Sequence, residues 1–376
     1  MTREAEDLLD RLLDTGVVPF RPTYVRRFYR DGGRLRQAPS PGKSFWYPER
    51  WIASTVSAVN PHPLPGEGQS WLAIRSRPIS FRQALEVRGE RILGSALLQA
   101  CGATFPILIK ILDPAEPIPM HFHARDEDVR RHPHHFPGQR FGKDEAYYFL
   151  PSPSGAIPYA HVGLHQGVTP EALARAVELG PHRLRELSPC FYQRAGEGFF
   201  VPAGVPHRPG TALALEVQQP SDVYVLLERT LGGRRLPPKQ VHPGFRSLRE
   251  ALRYVDFQRA SDPEILARYR LVPEPIAHSR SRGGEEAWIF PPRLVKFAGK
   301  RLVVRTRFQS QETGPYVVLV WRGRGRLLGR RLRPGSEMLI TAEAAVQPHL
   351  YEADGPPLEV FKLFAPEPSA FQGNRP

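Results

Sequence analysis

Short apolar runs broken by turn residues dominate this chain, at 105–112, 146–150, 199–202, 212–218, 223–227, 316–321 and 358–364. Runs of this length, bounded by Gly and Pro, predict strands, and their repeated spacing predicts an all-β sandwich or barrel. With 41 prolines and 32 glycines, long helices are not expected over most of the chain. Three shorter helices are. One covers 4–15 and another 247–254. The third, at 169–179, has Thr169 as N-cap, Pro170 at its first position and Gly180 past its end.

A length of 376 residues accommodates two domains, each with its own core. The stretch 229–245, rich in Gly, Pro and charge, is the expected linker, so the division is drawn at 1–236 and 237–376. An internal repeat supports two similar halves. Residues 335–346 (G-S-E-M-L-I-T-A-E-A-A-V) align without gaps on 196–207 (G-E-G-F-F-V-P-A-G-V-P-H), placing Val346 opposite His207.

The formal net charge of +14 comes almost wholly from arginine, since there are only seven lysines. No nucleic-acid-binding motif accompanies it, and the basic run 322–333 (R-G-R-G-R-L-L-G-R-R-L-R) is expected to be a hairpin with basic turns. No nucleic-acid partner is therefore expected, although the charge suits small anionic substrates. No stretch reaches the eighteen or so apolar residues of a membrane span, and the N-terminus lacks the apolar core of a signal peptide. Cys101 and Cys190 are too few for a disulfide framework, so a cytoplasmic setting is expected.

The chemistry concentrates in M-H-F-H at 120–123, G-K-D-E at 142–145 and G-E-G-F-F-V-P-A-G-V-P-H at 196–207. Side chains alternate along a strand, so His121 and His123 share a face. His207 follows a Pro-x-Gly turn that delivers it from another strand. With Glu145 they make three imidazoles and one carboxylate, a donor set for Zn(II), Fe(II), Mn(II), Ni(II) or Co(II). His132, His134 and His135, in an Arg- and Pro-rich stretch, are expected to be hydrogen-bonded or surface residues rather than ligands.

These motifs are those of the cupin superfamily, and their flanks narrow the likeness. P-I-L-I-K-I-L-D at 106–113, G-K-D-E, V-P-A-G-V-P-H at 201–207 and E-V-Q-Q-P-S-D at 216–222 resemble the zinc-dependent, type I mannose-6-phosphate isomerases. The resemblance runs from about residue 45 to 260. It implies a mostly β fold of two cupin (double-stranded β-helix, jelly-roll) barrels, the first metal-binding with a small helical insertion near 169–187, the second metal-free. It further implies one Zn2+ held by His121, His123, Glu145 and His207, and a sugar site lined by Lys110, Lys143 and Asp222. The family usually has Gln at the position of His121 and an Arg four residues after the Asp, where Leu226 stands here; Arg208 and Arg229 are the nearby candidates to bind substrate instead. The implied activity interconverts mannose 6-phosphate and fructose 6-phosphate through an enediolate, with Asp222 as acid–base. The alternatives are a divergent metal-binding bicupin acting on or binding another sugar phosphate and, less favoured, an Fe(II) cupin dioxygenase.

Overall fold

The computed structural model describes residues 1–371 except 36–44, 61, 75–77, 152–154, 238–240, 242–243 and 278. Four antiparallel sheets carry the fold, together with a two-stranded hairpin. The first large sheet has seven strands in the order Arg270–Leu271, Gly198–Val201, Glu145–Phe149, Ala214–Gln218, Leu108–Leu112, Trp46–Ile52 and Thr23–Arg27. A five-stranded sheet accompanies it: Val225–Leu226, His121–Phe122, His207–Arg208, Tyr159–Val162, Cys190–Tyr192. The second large sheet again has seven strands: Val17–Pro19, Glu337–Ile340, Tyr316–Arg322, Leu358–Phe364, Ala298–Val304, Gly284–Phe290, Glu274–Pro275. Its companion has four: Arg307–Ser310, His349–Ala353, Gly325–Leu327, Arg330–Leu332.

Apart from the outermost strands the two halves have the same strand order, so the repeat detected in the sequence reflects a duplicated topology. The strands Gly198–Val201 and Glu337–Ile340 coincide in the ungapped alignment and occupy the same place in their sheets. Beyond them the register differs. A helical turn, Ala342–Ala345, intervenes, and the strand that follows opens at His349, as its counterpart opens at His207. Val346 is thus not the positional equivalent of His207.

Period-two alternation explains why the large sheets are buried on both faces. In Leu108–Leu112, Ile109 and Ile111 enter a core shared by the two large sheets, while Lys110 and Leu112 face the other way, into the first half. Ala146, Tyr148, Leu215 and Val217 join the shared core from one side, and Val317, Leu319, Phe361 and Leu363 from the other. Arg50 also crosses this seam, donating to Glu337 at 2.7 and 3.1 Å.

The first helix, Arg3–Leu13, puts Ala5, Leu9 and Leu13 on one buried stripe of this core, at the four-residue spacing of a helical face. The insertion is as expected: Pro170–Leu179 with Thr169 capping Ala172, then Pro181–Glu186. Ser247 caps Leu248–Ala251, which continues as the 3-10 turn Leu252–Tyr254. Helices at Phe81–Leu93 and Ser95–Cys101 were not anticipated, because Gly89 and Gly94 interrupt their pattern. A Cβ at Gly89 would lie 2.7 Å from the end of the Leu98 side chain, so the two helices pack closely there.

The division expected near residue 236 does not match the chain path. Arg270–Leu271 pairs with Gly198–Val201 in the first half, and Ala251, Ala260 and Ile265 lie in that half's core. Conversely Val17–Pro19 pairs with Glu337–Ile340 of the second half. Within the expected linker, Thr230–Leu231 and Arg234–Arg235 form a hairpin, with Leu231, Leu236 and Val241 in a small cluster with Tyr29 and Leu226.

Candidate metal centre

Three strands and one turn bring the donors together. His121 and His207 lie directly opposite each other on neighbouring antiparallel strands, their ring centroids 4.1 Å apart. His123 lies two residues on, its ring 4.9 and 5.0 Å from the other two. Met120 and Phe122, at the alternate positions, are fully buried in the apolar core. Gly204 of the Pro-x-Gly turn has φ +84°, and a Cβ there would meet that of Asp256 at 2.9 Å. Only glycine suits such a position, and its N–H donates to the His123 carbonyl at 2.8 Å, docking the turn against the histidine strand. Glu145 opens the neighbouring strand of the large sheet. Tyr147 donates to its Oε1 at 2.5 Å.

Each imidazole is oriented by a backbone carbonyl. Nδ1 of His121, His123 and His207 donates to Pro119 O, Val223 O and Val205 O at 2.7, 2.7 and 3.0 Å. A carbonyl can only accept, so Nδ1 carries the proton and each Nε2 presents a lone pair. Nε2 of His207 lies 2.8 Å from Glu145 Oε1, and Nε2 of His123 lies 3.2 Å from Oε2. Lone pairs facing a carboxylate at these distances repel unless a cation lies among them, and both Nε2 atoms are buried without a hydrogen-bond partner. All four donor atoms fall within 4.8 Å of one another. The donor set therefore fits a divalent metal ion, whose charge would be the largest in the site.

Electrostatics prepare the donors. Burial, with the other two rings, pushes His121 well below the usual imidazole range, and burial with Lys143 brings His123 down to about 3. Burial alone would raise Glu145, but Lys143 and the imidazoles outweigh it and hold the carboxyl well below its ordinary value.

Beside the donors lies a buried charged tier in a cavity of about 50 Å³, which His121, Leu226, Tyr147 and Tyr224 also line. Lys143 Nζ is 2.9 Å from Glu145 and 3.6 Å from Glu216. Lys110 Nζ is 3.5 Å from Glu216, 3.7 Å from Asp222 and 4.0 Å from Glu49. Arg27 joins the tier from the edge strand, donating to Glu49 at 2.8 and 3.1 Å and to Asp222 at 2.8 and 3.0 Å. Four carboxyl groups thus face three cations. Burial pushes Glu216 up to about 8.

No protein-family model matches the chain. The mannose-6-phosphate isomerase ManA of Bacillus subtilis (strain 168) is 34% identical over 123 residues, which are 32% of this chain and 36% of that relative. The match thus spans about a third of the relative's length. Similarity in structure runs through most of the chain. The crystal structure of the Bacillus subtilis mannose 6-phosphate isomerase superposes with a TM-score of 0.67 at 18% identity, covering 93% of this chain and 99% of that one. A point variant of phosphomannose isomerase from Salmonella typhimurium gives 0.68 at 15% identity, covering 93% and 100%. The chain has the mannose-6-phosphate isomerase fold.

Against this isomerase frame, the structure brings His121, His123, Glu145 and His207 together, with Lys110, Lys143 and Asp222 in the adjoining tier. Arg208 and Arg229 are not among the cavity's lining residues. Arg208 instead donates to Glu228 at 2.9 Å. The guanidinium beside Asp222 comes from Arg27, far away in sequence. Leu226 pairs with His121 and is buried. Arg27, Glu49, Tyr147 and Glu216 are site residues that sequence reasoning did not single out. Glu216 lies within a segment that carried the resemblance and Glu49 within the span it covers, whereas nothing distinguishes Arg27 in T-Y-V-R-R. His132 and His134 are exposed, and His135 is bonded to Tyr254 and paired with Glu250. Among the described residues no helix is long and apolar enough to cross a membrane.

Proposed function

We propose that the chain is a zinc-dependent sugar-phosphate isomerase of the type I mannose-6-phosphate isomerase kind, built of two cupin barrels and acting in the cytoplasm on mannose 6-phosphate and fructose 6-phosphate. The carrying observation is the juxtaposition of three oriented imidazole lone pairs and a carboxylate with two buried lysines. His121, His123, Glu145 and His207 would hold the ion. When bound, it supplies the positive charge that an enediolate needs. Lys110 and Lys143 stabilise negative charge on the substrate oxygens. Glu216, between them, is the carboxyl placed to exchange a proton with either amine. Asp222 is held by Arg27 and by the Val59 N–H at 2.8 Å, which suits a positioning role better than a mobile base.

A coupled assay on zinc-loaded protein tests the reading. Turnover of mannose 6-phosphate should fall at least ~1,000-fold in His207→Ala, the scale of losing a principal electrostatic group. Turnover no greater than that of His207→Ala would overturn it. Leu226, where the resembling family has Arg, favours a second reading, an isomerase for a different sugar phosphate. A panel of aldose and ketose phosphates in the same assay distinguishes the two.

A further inference from the structure

The basic run 322–333 folds as a hairpin, but its turn is not basic. Gly325–Leu327 pairs with Arg330–Leu332 through Leu328 and Gly329, which both have positive φ, +45° and +75°. A two-residue turn of this kind matches the strands' twist and fixes their register. Gly325, Leu327 and Leu332 are buried, whereas Arg324, Arg326, Arg331 and Arg333 are exposed. Alternation therefore puts four guanidinium groups on one outward face. Arg326 lies directly opposite Arg331, and the same register carried one residue on sets Arg324 against Arg333.

Like charges facing each other across strands are unfavourable, and the protein's own carboxylates do little to relieve these. Among the described residues none of the four arginines forms an ion pair. On its other side Arg326 faces Glu352, which Arg307 already holds at 3.2 Å. The four line a groove of about 1280 Å³ between the outer strands of the second half's two sheets, Val17–Pro19 and Arg330–Leu332. Its lining holds six arginines and two carboxylates. Arg50 neutralises Glu337 at 2.7 Å, and Arg330 reaches Thr15 at 3.5 Å. Five positive charges thus remain against Asp354 alone.

Guanidinium groups bind phosphate oxygens in pairs, through parallel N–H bonds. The backbone positions of the four are about 5 Å apart across the strands and about 7 Å apart along them, so a phosphate chain can meet them in succession. Phe20, the only aromatic ring in the lining, is 5% exposed, which leaves no platform on which a base could stack. A cleft between two sheet edges admits a narrow, flexible chain rather than a stiff duplex. We propose that this groove binds a linear chain of phosphates, inorganic polyphosphate, through Arg324, Arg326, Arg331 and Arg333. The site is separate from the metal centre and does not depend on the function proposed there.

Fluorescence anisotropy of an end-labelled linear polyphosphate, titrated with the full zinc-loaded chain, tests the site. Binding should weaken steeply with salt, as it does where several phosphates are neutralised by arginine. Arg326→Gln/Arg331→Gln should weaken it at least tenfold and lower the salt slope by about two. The same loss of charge at Arg249 and Arg253, exposed on the first half, should leave binding unchanged, which separates the groove from net charge. Thermal unfolding checks each variant, and Arg324→Gln/Arg333→Gln repeats the test on the neighbouring pair if the first double variant fails to fold. Binding that is absent, unaffected by the groove variants or weakened equally by the control would overturn the proposal. So would tighter, Arg326-dependent binding of single-stranded or duplex RNA, which would assign the groove to a nucleic-acid backbone.

Discussion

Replacing Arg27 by methionine tests the charged tier most directly. Arg27 is 4% exposed and donates four hydrogen bonds to Glu49 and Asp222, plus one to Val59 O at 3.1 Å. Removing one member of a buried ion-pair network costs ~3–5 kcal/mol, because the charges left behind stay desolvated. Here the carboxylates keep other partners. Trp51 Nε1 still donates to Glu49 at 2.7 Å, and the Val59 N–H to Asp222 at 2.8 Å. The lower end applies, about 3 kcal/mol, which is roughly a hundredfold in the unfolding equilibrium. Urea denaturation of the metal-free chain measures it. The double variant Arg27→Met/Glu49→Gln removes the stranded charge as well, so it should be more stable than the sum of the single losses by ~1–3 kcal/mol. Removing a cation beside the metal donors should also leave zinc affinity intact or higher, since the local potential becomes more negative. A loss under ~1 kcal/mol together with strict additivity would show that Arg27 is not the buried bridge seen in the structure.

Acid should act through the same network. Burial alone would raise Glu49, yet Arg27 and Lys110 outweigh it and bring the carboxyl down to about 2 from an ordinary value of 4.5. Its contribution to stability is therefore complete above pH 4.5 and is lost as pH falls toward 2, an acid limb that Glu49→Gln should flatten in thermal unfolding. Leu226→Arg should lower mannose 6-phosphate turnover rather than raise it, because Leu226 is packed against Tyr29, Leu231 and Leu236 and Arg27 already holds Asp222. A gain in activity would assign the missing cation to that position. Thr169→Ala removes the cap on Ala172 and should cost ~1 kcal/mol. Amide exchange should show faster opening confined to Pro170–Leu179 and its neighbours.

Much of the metal centre was legible because its residues obey short-range rules. His-x-His places two rings on one strand face, and Pro-x-Gly-x-x-His forces a turn before the third. Thr169, Pro170 and Gly180 marked a helix in the same local manner. What was hidden depends on pairing across the chain. Arg27 meets Asp222 over 195 residues of sequence, and no local pattern anticipates that contact. The helices at 81–101 were obscured by Gly89, which looks like a breaker but admits Leu98. Val346 was misaligned because one helical turn shifted the register just beyond the aligned strands. The division at 236 failed because composition marks a loop as polar without revealing which sheet its flanks join.

The strand Val17–Pro19 has a consequence for how the chain is made. It is synthesised more than 300 residues before its partner, Glu337–Ile340. Until that partner emerges the strand lacks the edge it pairs with, although the helix before it can already pack against Phe81–Leu93. Pairing so distant in sequence is slow, and it leaves sticky surface open in the meantime. The strand Val17–Pro19 therefore works as a closing latch: the second sheet gains its outer strand only when a segment made early meets one made late.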